Sequence, residues 1–163
     1  SGRAVQHRMR TNDIAIIDLW NSDLIIHALT VRIAIASGSA YDRIEQPQIL
    51  RYRPGQSYDN HYDFIDPEAP AFRRELRERG QRTRTPLIYL NDAYDGGETS
   101  FPRANKAFRG RAGDLLILRN TRSNGAPDQM SLHAGLPPTR GEKWVFSTRI
   151  RNQRQLARIW REI

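Results

Sequence analysis

The chain contains no cysteine. That excludes disulfides and thiolate metal sites, so any bound metal has to be held by imidazole and carboxylate. A cytoplasmic home fits the same absence, since an oxidising compartment is where disulfides accumulate. Histidine is scarce too, with only His7, His27, His61 and His133. Every apolar run is broken by Arg, Asp or His well short of membrane-spanning length, so no membrane partner is expected. The start carries no signal-peptide pattern. It also carries no initiator Met, and Ser1-Gly2 is expected to open the C-terminal part of a longer protein. No internal repeat or low-complexity tract is present.

What is there is enough for one domain. A length of 163 residues with 38% hydrophobic residues suits a single globular unit spanning 1–163, and is short for two. The 26 basic residues, nearly all Arg, exceed the 18 acidic ones and give a formal charge of +8. Such a balance can serve nucleic acid, an acidic protein or an anionic co-substrate. Aromatic and basic residues are not interleaved as a nucleic-acid groove requires, which makes a nucleic-acid partner the weaker reading.

Asn21 or Ser22, with Asp23 behind it, predicts a helix start, and Gly38 predicts its end. Between them Leu24, Ala28, Val31 and Ile35 form a stripe, flanked by Ile25 and Leu29, that should face the core. His27 on this helix reads as a boundary residue rather than a ligand. Ile14 to Ile17 is a short strand or a helix edge. From Gln48 onward the pattern is short strands between turn residues: 49–53, 58–64, 83–90, 98–101, 115–118, 131–136 and 143–150. Many short strands after one helix predict a mainly β fold, a β-sandwich or jelly roll with helical support. A short helix is expected over 71–79 inside the 66–82 connection, either as a lid or as a solvated surface helix pinned by Phe72 and Leu76. The tail 153–163 reads as a basic helix with Leu156, Ile159 and Trp160 on one side.

The chemistry lies in His61-Tyr62-Asp63 and the distant His133 and Lys143. On a strand, side chains two apart share a face, so His61 and Asp63 would sit side by side. A second imidazole from His133 completes a two-His-one-carboxylate set. That set suits Fe(II) and leaves positions open for a co-substrate and O2. Lys143 would supply a fixed cation for the far end of a dicarboxylate.

These residues and their surroundings resemble the prolyl 4-hydroxylase branch of the Fe(II)/2-oxoglutarate dioxygenases. The resemblance runs in order through Gln48–Tyr58, His61–Phe64, Leu87–Leu90, Gly96–Pro102, Gly113-Asp114 and Ser131–Trp144, covering roughly 45–150. It implies a double-stranded β-helix core supported by the N-terminal helix, with a C-terminal helix after it. It implies iron ligands at His61, Asp63 and His133, and Lys143, Tyr52 and Thr99 on the distal carboxylate of 2-oxoglutarate. Tyr58 and Arg82 match positions bordering a peptide substrate. Arg149 stands where algal-type members carry Trp, and could pair with a substrate carboxylate. The implied activity is hydroxylation of a prolyl residue in a peptide or protein, consuming 2-oxoglutarate and O2 and releasing succinate and CO2, with ascorbate a possible further cofactor. The alternatives are the same chemistry on a free amino acid or small metabolite, nucleic-acid demethylation, or a non-catalytic binding domain.

Overall fold

The structure is a computed structural model that describes residues 9–155. In chain order its elements are β1 (Asp13–Ile16), α1 (Leu24–Ser37), β2 (Gln48–Tyr52), β3 (Tyr58–His61), α2 (Arg73–Arg79), β4 (Arg82–Tyr89), β5 (Asp95–Gly96), β6 (Thr99–Phe101) and β7 (Lys106–Phe108). They continue with β8 (Leu115–Arg119), β9 (His133–Gly135), β10 (Pro138–Arg140), β11 (Lys143–Ser147) and β12 (Ile150–Arg151). The helix expected over 153–163 lies, from residue 156 on, outside the described residues. Among the described residues no helix is long and apolar enough to cross a membrane.

Two antiparallel sheets build the jelly roll. The main sheet runs β1-β2-β11-β4-β12, with β8 also paired to β4, and the minor sheet runs β3-β9-β6-β7. Strands β5 and β10 form a separate pair. Alternation along the central strands sorts their side chains onto two faces. Leu50 and Tyr52 of β2, Leu87 and Tyr89 of β4, Leu118 of β8 and Val145 of β11 form the inner apolar cluster. Ile88, Phe146 and Ile150 point the other way and pack with Ile33 and Ala34 of α1 and with Ile44. Lys143, Val145 and Ser147 lie opposite Tyr52, Leu50 and Gln48, so the functional end of β11 shares a face with the inner cluster.

Helix α1 corrects the expectation in two respects. Asp23, not Asn21 or Ser22, is the N-cap, its side chain accepting from the Ile26 backbone N–H, while Gly38 closes the other end in a left-handed conformation, as expected. The buried side is Thr30, Ile33, Ala34 and Ser37. Leu24, Ile25 and Ile35 of the expected stripe are 84%, 73% and 75% exposed. The helix is apolar nearly all round, so periodicity alone could not select the packed face. Burial of two hydroxyls costs little because Thr30 Oγ1 donates to the Ile26 carbonyl and Ser37 Oγ to that of Ile33. His27 sits at the boundary, its Nδ1 2.8 Å from the Tyr41 hydroxyl.

The expected strand over 58–64 is shorter than its sequence suggests. β3 ends at His61, with an irregular register against β9 between Tyr58 and His61. Beyond it the chain turns, and the Ile65 backbone N–H donates to Gln81 Oε1. Asp63 therefore occupies a bend, not a strand. Strands β5, β7 and β10 had no counterpart in the sequence reading. They are two or three residues each, too short for an alternating pattern to register.

The 66–82 connection is anchored. The side chain of Arg151 is fully buried; its Nε meets Glu45, its Nη1 donates to the Gly80 carbonyl at 2.7 Å and its Nη2 to Glu75 of α2 at 2.5 Å. Burying this guanidinium is affordable only because most of its donors find an acceptor. The same Glu45 takes a two-pronged ion pair from Arg82 at 2.8 and 3.0 Å. Burial alone would raise the Glu45 carboxyl, but Arg82 and Arg151 hold it below its ordinary value.

Candidate metal centre

His61 and His133 are directly paired residues of β3 and β9, which sets their imidazoles side by side with ring centroids 4.2 Å apart. The bend after β3 brings Asp63 Oδ2 to 3.6 Å from His133 Nε2. Each of the three residues offers a ligand atom within 4.8 Å of the others, and all three are buried. The ring orientations are fixed by the backbone. The His61 Nδ1 lies 2.7 Å from the Asp59 carbonyl and His133 Nδ1 lies 2.9 Å from that of Ser131. A carbonyl only accepts, so Nδ1 carries the proton and Nε2 keeps its lone pair for a metal. Burial, with the neighbouring His133, pushes His61 down to about 4, so its imidazole is neutral at ordinary pH.

Asp63 is held on both oxygens. Thr85 Oγ1 donates to Oδ2 at 2.7 Å, and the buried Arg149 donates through Nη2 to Oδ1 at 3.3 Å. Asn120, fully buried, donates to Thr85 Oγ1 at 2.9 Å and so braces the brace. Burial alone would raise the Asp63 carboxyl; Arg149, the two imidazoles and the Thr85 hydroxyl hold it far below the usual range. Arg149 also donates from Nη1 to Gln48 Oε1 at 3.2 Å. It lines the metal cleft facing Asp63 and does not line the neighbouring groove. Thr85, Asn120 and Gln48 were missed by sequence reasoning. They are ordinary strand and loop residues, and only the three-dimensional pairing reveals them.

Across the cleft lies Lys143, 2% exposed. Its Nζ donates to the Gly97 carbonyl at 2.7 Å, stands 3.5 Å from Thr99 Oγ1 and sits over the rings of Tyr52 and Tyr89 at 5.2 and 5.4 Å. None of the ion pairs among the described residues reaches it. Burial lowers it to about 8, slightly offset by the charge of Glu98. A buried ammonium facing only neutral acceptors is costly unless an anion joins it. Tyr52 closes the wall, and a Cβ at Gly135 would press on its phenol at 3.0–3.3 Å. Burial pushes the phenols of Tyr52 and Tyr89 up to about 12, which keeps both as neutral donors. The Tyr89 hydroxyl bonds Thr99 Oγ1 at 2.8 Å. Ser147 Oγ is buried on the same wall and has no partner among the described residues. Imidazoles with free Nε2, one braced carboxylate, a lone buried ammonium and an orphan hydroxyl together fit ferrous iron with 2-oxoglutarate.

His61 and Asp63 also line a second cavity of about 840 Å³, walled by Tyr62, Phe64, Phe72 and Pro127. Arg82 borders it while remaining bound to Glu45. Tyr58 stacks on His61 at 3.5 Å between ring centroids, with Arg10 over its other side at 4.4 Å.

Comparison with known proteins agrees with this geometry. Prolyl 4-hydroxylase 13 of Arabidopsis thaliana is 36% identical over 146 residues, covering 79% of this chain and 51% of its own length. Prolyl 4-hydroxylase 1 of the same plant is 34% identical over 158 residues, covering 88% and 54%. The chain thus spans about half the length of the curated relatives it matches. The crystal structure of viral collagen prolyl hydroxylase vCPH from Paramecium Bursaria Chlorella virus-1, a 2OG complex, superposes with a TM-score of 0.71 at 25% identity, covering 87% of this chain and 79% of that one. The profile of the 2OG-Fe(II) oxygenase superfamily matches residues 47–151, which contain all three metal-facing side chains and Lys143. The chain belongs to the 2OG-Fe(II) oxygenase superfamily, with a prolyl 4-hydroxylase-like sequence and fold.

Proposed function

We propose that the chain is the catalytic unit of an Fe(II)/2-oxoglutarate-dependent hydroxylase that acts on a prolyl residue within a peptide or protein. The observation that carries this reading is the convergence of His61, Asp63 and His133 on one point, with Lys143 buried opposite and without a carboxylate. The names of the relatives support proline as the target. The 840 Å³ groove beside the metal residues favours an extended segment over a free amino acid, because it far exceeds one side chain.

In this reading His61 and His133 would hold iron through Nε2 and Asp63 through Oδ2, while Arg149 keeps the other carboxylate oxygen engaged and the carboxylate oriented. Arg149 is thus a positioning residue, not a substrate contact. Lys143, Thr99 and Tyr52 receive the distal carboxylate of 2-oxoglutarate. The cleft between the metal residues and Lys143 is narrow, about 30 Å³, and there the ammonium would exchange the Gly97 carbonyl for that carboxylate. Iron, 2-oxoglutarate and O2 together supply the oxidising power for C–H hydroxylation, with succinate and CO2 as the other products. The buried walls exclude water, and the groove aromatics Tyr62, Phe64 and Phe72 would orient the prolyl ring, with Tyr58 backing the His61 imidazole.

The test is succinate release coupled to gain of one oxygen atom on a proline-containing peptide, followed by mass spectrometry beside free proline. Peptide-dependent turnover that falls to background in His133→Ala is expected. Turnover with free amino acids alone would move the substrate to the small-metabolite class, and unchanged turnover in His133→Ala would remove the metal assignment.

A further inference from the structure

A second charged cavity lies away from the metal centre, where α1 ends and β4 and β8 meet. It encloses about 440 Å³ and is lined by Arg43, Arg84, Arg119 and Arg122, with Thr83 and Thr121 among the hydroxyl residues between them. Arg84 and Arg119 are directly opposite residues of the antiparallel β4–β8 pair, so their side chains leave the sheet on the same face. Ile150, also paired with Arg84, belongs to the cluster packed against α1, which fixes that face as the one turned from the metal residues. Like charges directly opposite across a strand pair oppose folding. Among the described residues no carboxylate forms an ion pair with Arg43, Arg84 or Arg119, and Arg122 meets Asp128 only at 4.0 Å. The carbonyl end of α1 contributes about half a negative charge, against four guanidinium groups.

We infer that this cavity binds a compact phosphate-bearing anion. Guanidinium forks match phosphate oxygens two at a time, and four of them around one concavity suit more than one phosphoryl group. No aromatic residue lines the cavity, so no base-stacking platform accompanies the charge and the phosphate groups themselves are what is read. The volume suits a small ligand rather than a strand of nucleic acid. The site is independent of the proposed hydroxylation; it sits on the other face of β4 from Thr85, which braces Asp63.

Inorganic pyrophosphate titrated calorimetrically into the metal-free protein at low salt tests this. Saturable binding below about 1 mM is expected, weakening at least tenfold in the double variant Arg84→Gln/Arg119→Gln. Pyrophosphate should raise the melting temperature of the wild type and not of the double variant. The single variants Arg43→Gln and Arg119→Gln, both at exposed positions, repeat the comparison if the double variant folds poorly. The Lys143→Met variant, which closes the central pocket to anions, should keep full pyrophosphate affinity. Three results would each overturn the inference: affinity lost in Lys143→Met but kept in the double variant, no saturation up to about 10 mM, or salt-sensitive binding of single-stranded RNA with none of pyrophosphate.

Discussion

The two faces of the main sheet are made by the same strands and do opposite things. On the outer face Ile88, Phe146 and Ile150 meet Ile33 and Ala34 of α1, an apolar contact whose buried hydroxyls, Thr30 and Ser37, are satisfied within the helix. On the inner face the alternate residues of the same strands include Thr85, Lys143 and Ser147, polar groups that are buried and in part unsatisfied. Neighbours one residue apart along β11, Phe146 and Ser147, therefore belong to different economies of stability. The outer face stabilises the domain so that the inner face can hold groups that an empty pocket does not favour.

Mutations can break this division. Phe146→Ala should cost about 3–5 kcal/mol, read by denaturant unfolding, because it empties a fully buried aromatic site. Its 2-oxoglutarate requirement should stay unchanged in the fraction that folds. Lys143→Met should do the reverse. Removal of a lone buried charge is expected to stabilise the ligand-free protein by about 1–4 kcal/mol, while 2-oxoglutarate affinity, measured by anaerobic absorbance titration, falls about a hundredfold. Equal melting temperatures for this variant and the wild type would erase the contrast between the faces. Thr85→Val keeps the shape and removes the bond to Asp63. Metal affinity, measured by competition with a chelator, should fall about 10- to 100-fold, and unfolding should show a loss of about 1–3 kcal/mol because the buried Asn120 loses its acceptor.

The smallest effect is one of pH. Lys143 titrates near 8 in the empty pocket and at its ordinary 10.5 when unfolded. Between those values the unfolded chain holds more protons, so the penalty on folding is full below pH 8 and is relieved as pH rises through that window. A bound dicarboxylate prefers the charged lysine, so 2-oxoglutarate affinity should decline above pH 8, by about tenfold at pH 9. Lys143→Arg should flatten that decline, because arginine stays protonated throughout.

Much of this was legible in the residues. His61, Asp63, His133 and Lys143 stood out because histidine is scarce and lysine scarcer, with Lys106 the other one in the chain. Their meeting was readable because the surrounding motifs occur in family order. The face of α1 was not legible: Leu24 and Ile35 are as apolar as Ile33, and only the sheet beneath decides which of them it covers. Nor was the partner of Arg149. Its position beside the cleft could be anticipated, but an arginine can face a ligand or a neighbour equally well. The bend after His61 sends Asp63 back under the guanidinium, a contact that no local pattern announces. Thr85 and Asn120 carry no local signal at all, since hydroxyls and amides on strands and loops are commonplace.

Arg151 gives the molecule one more property. By tying Glu45, Glu75 and the Gly80 carbonyl together from a position shielded from solvent, it bolts α2 and the rim above the groove to the sheet floor. On the proposed function, a peptide in the groove would lie against a wall that this one guanidinium anchors at three points.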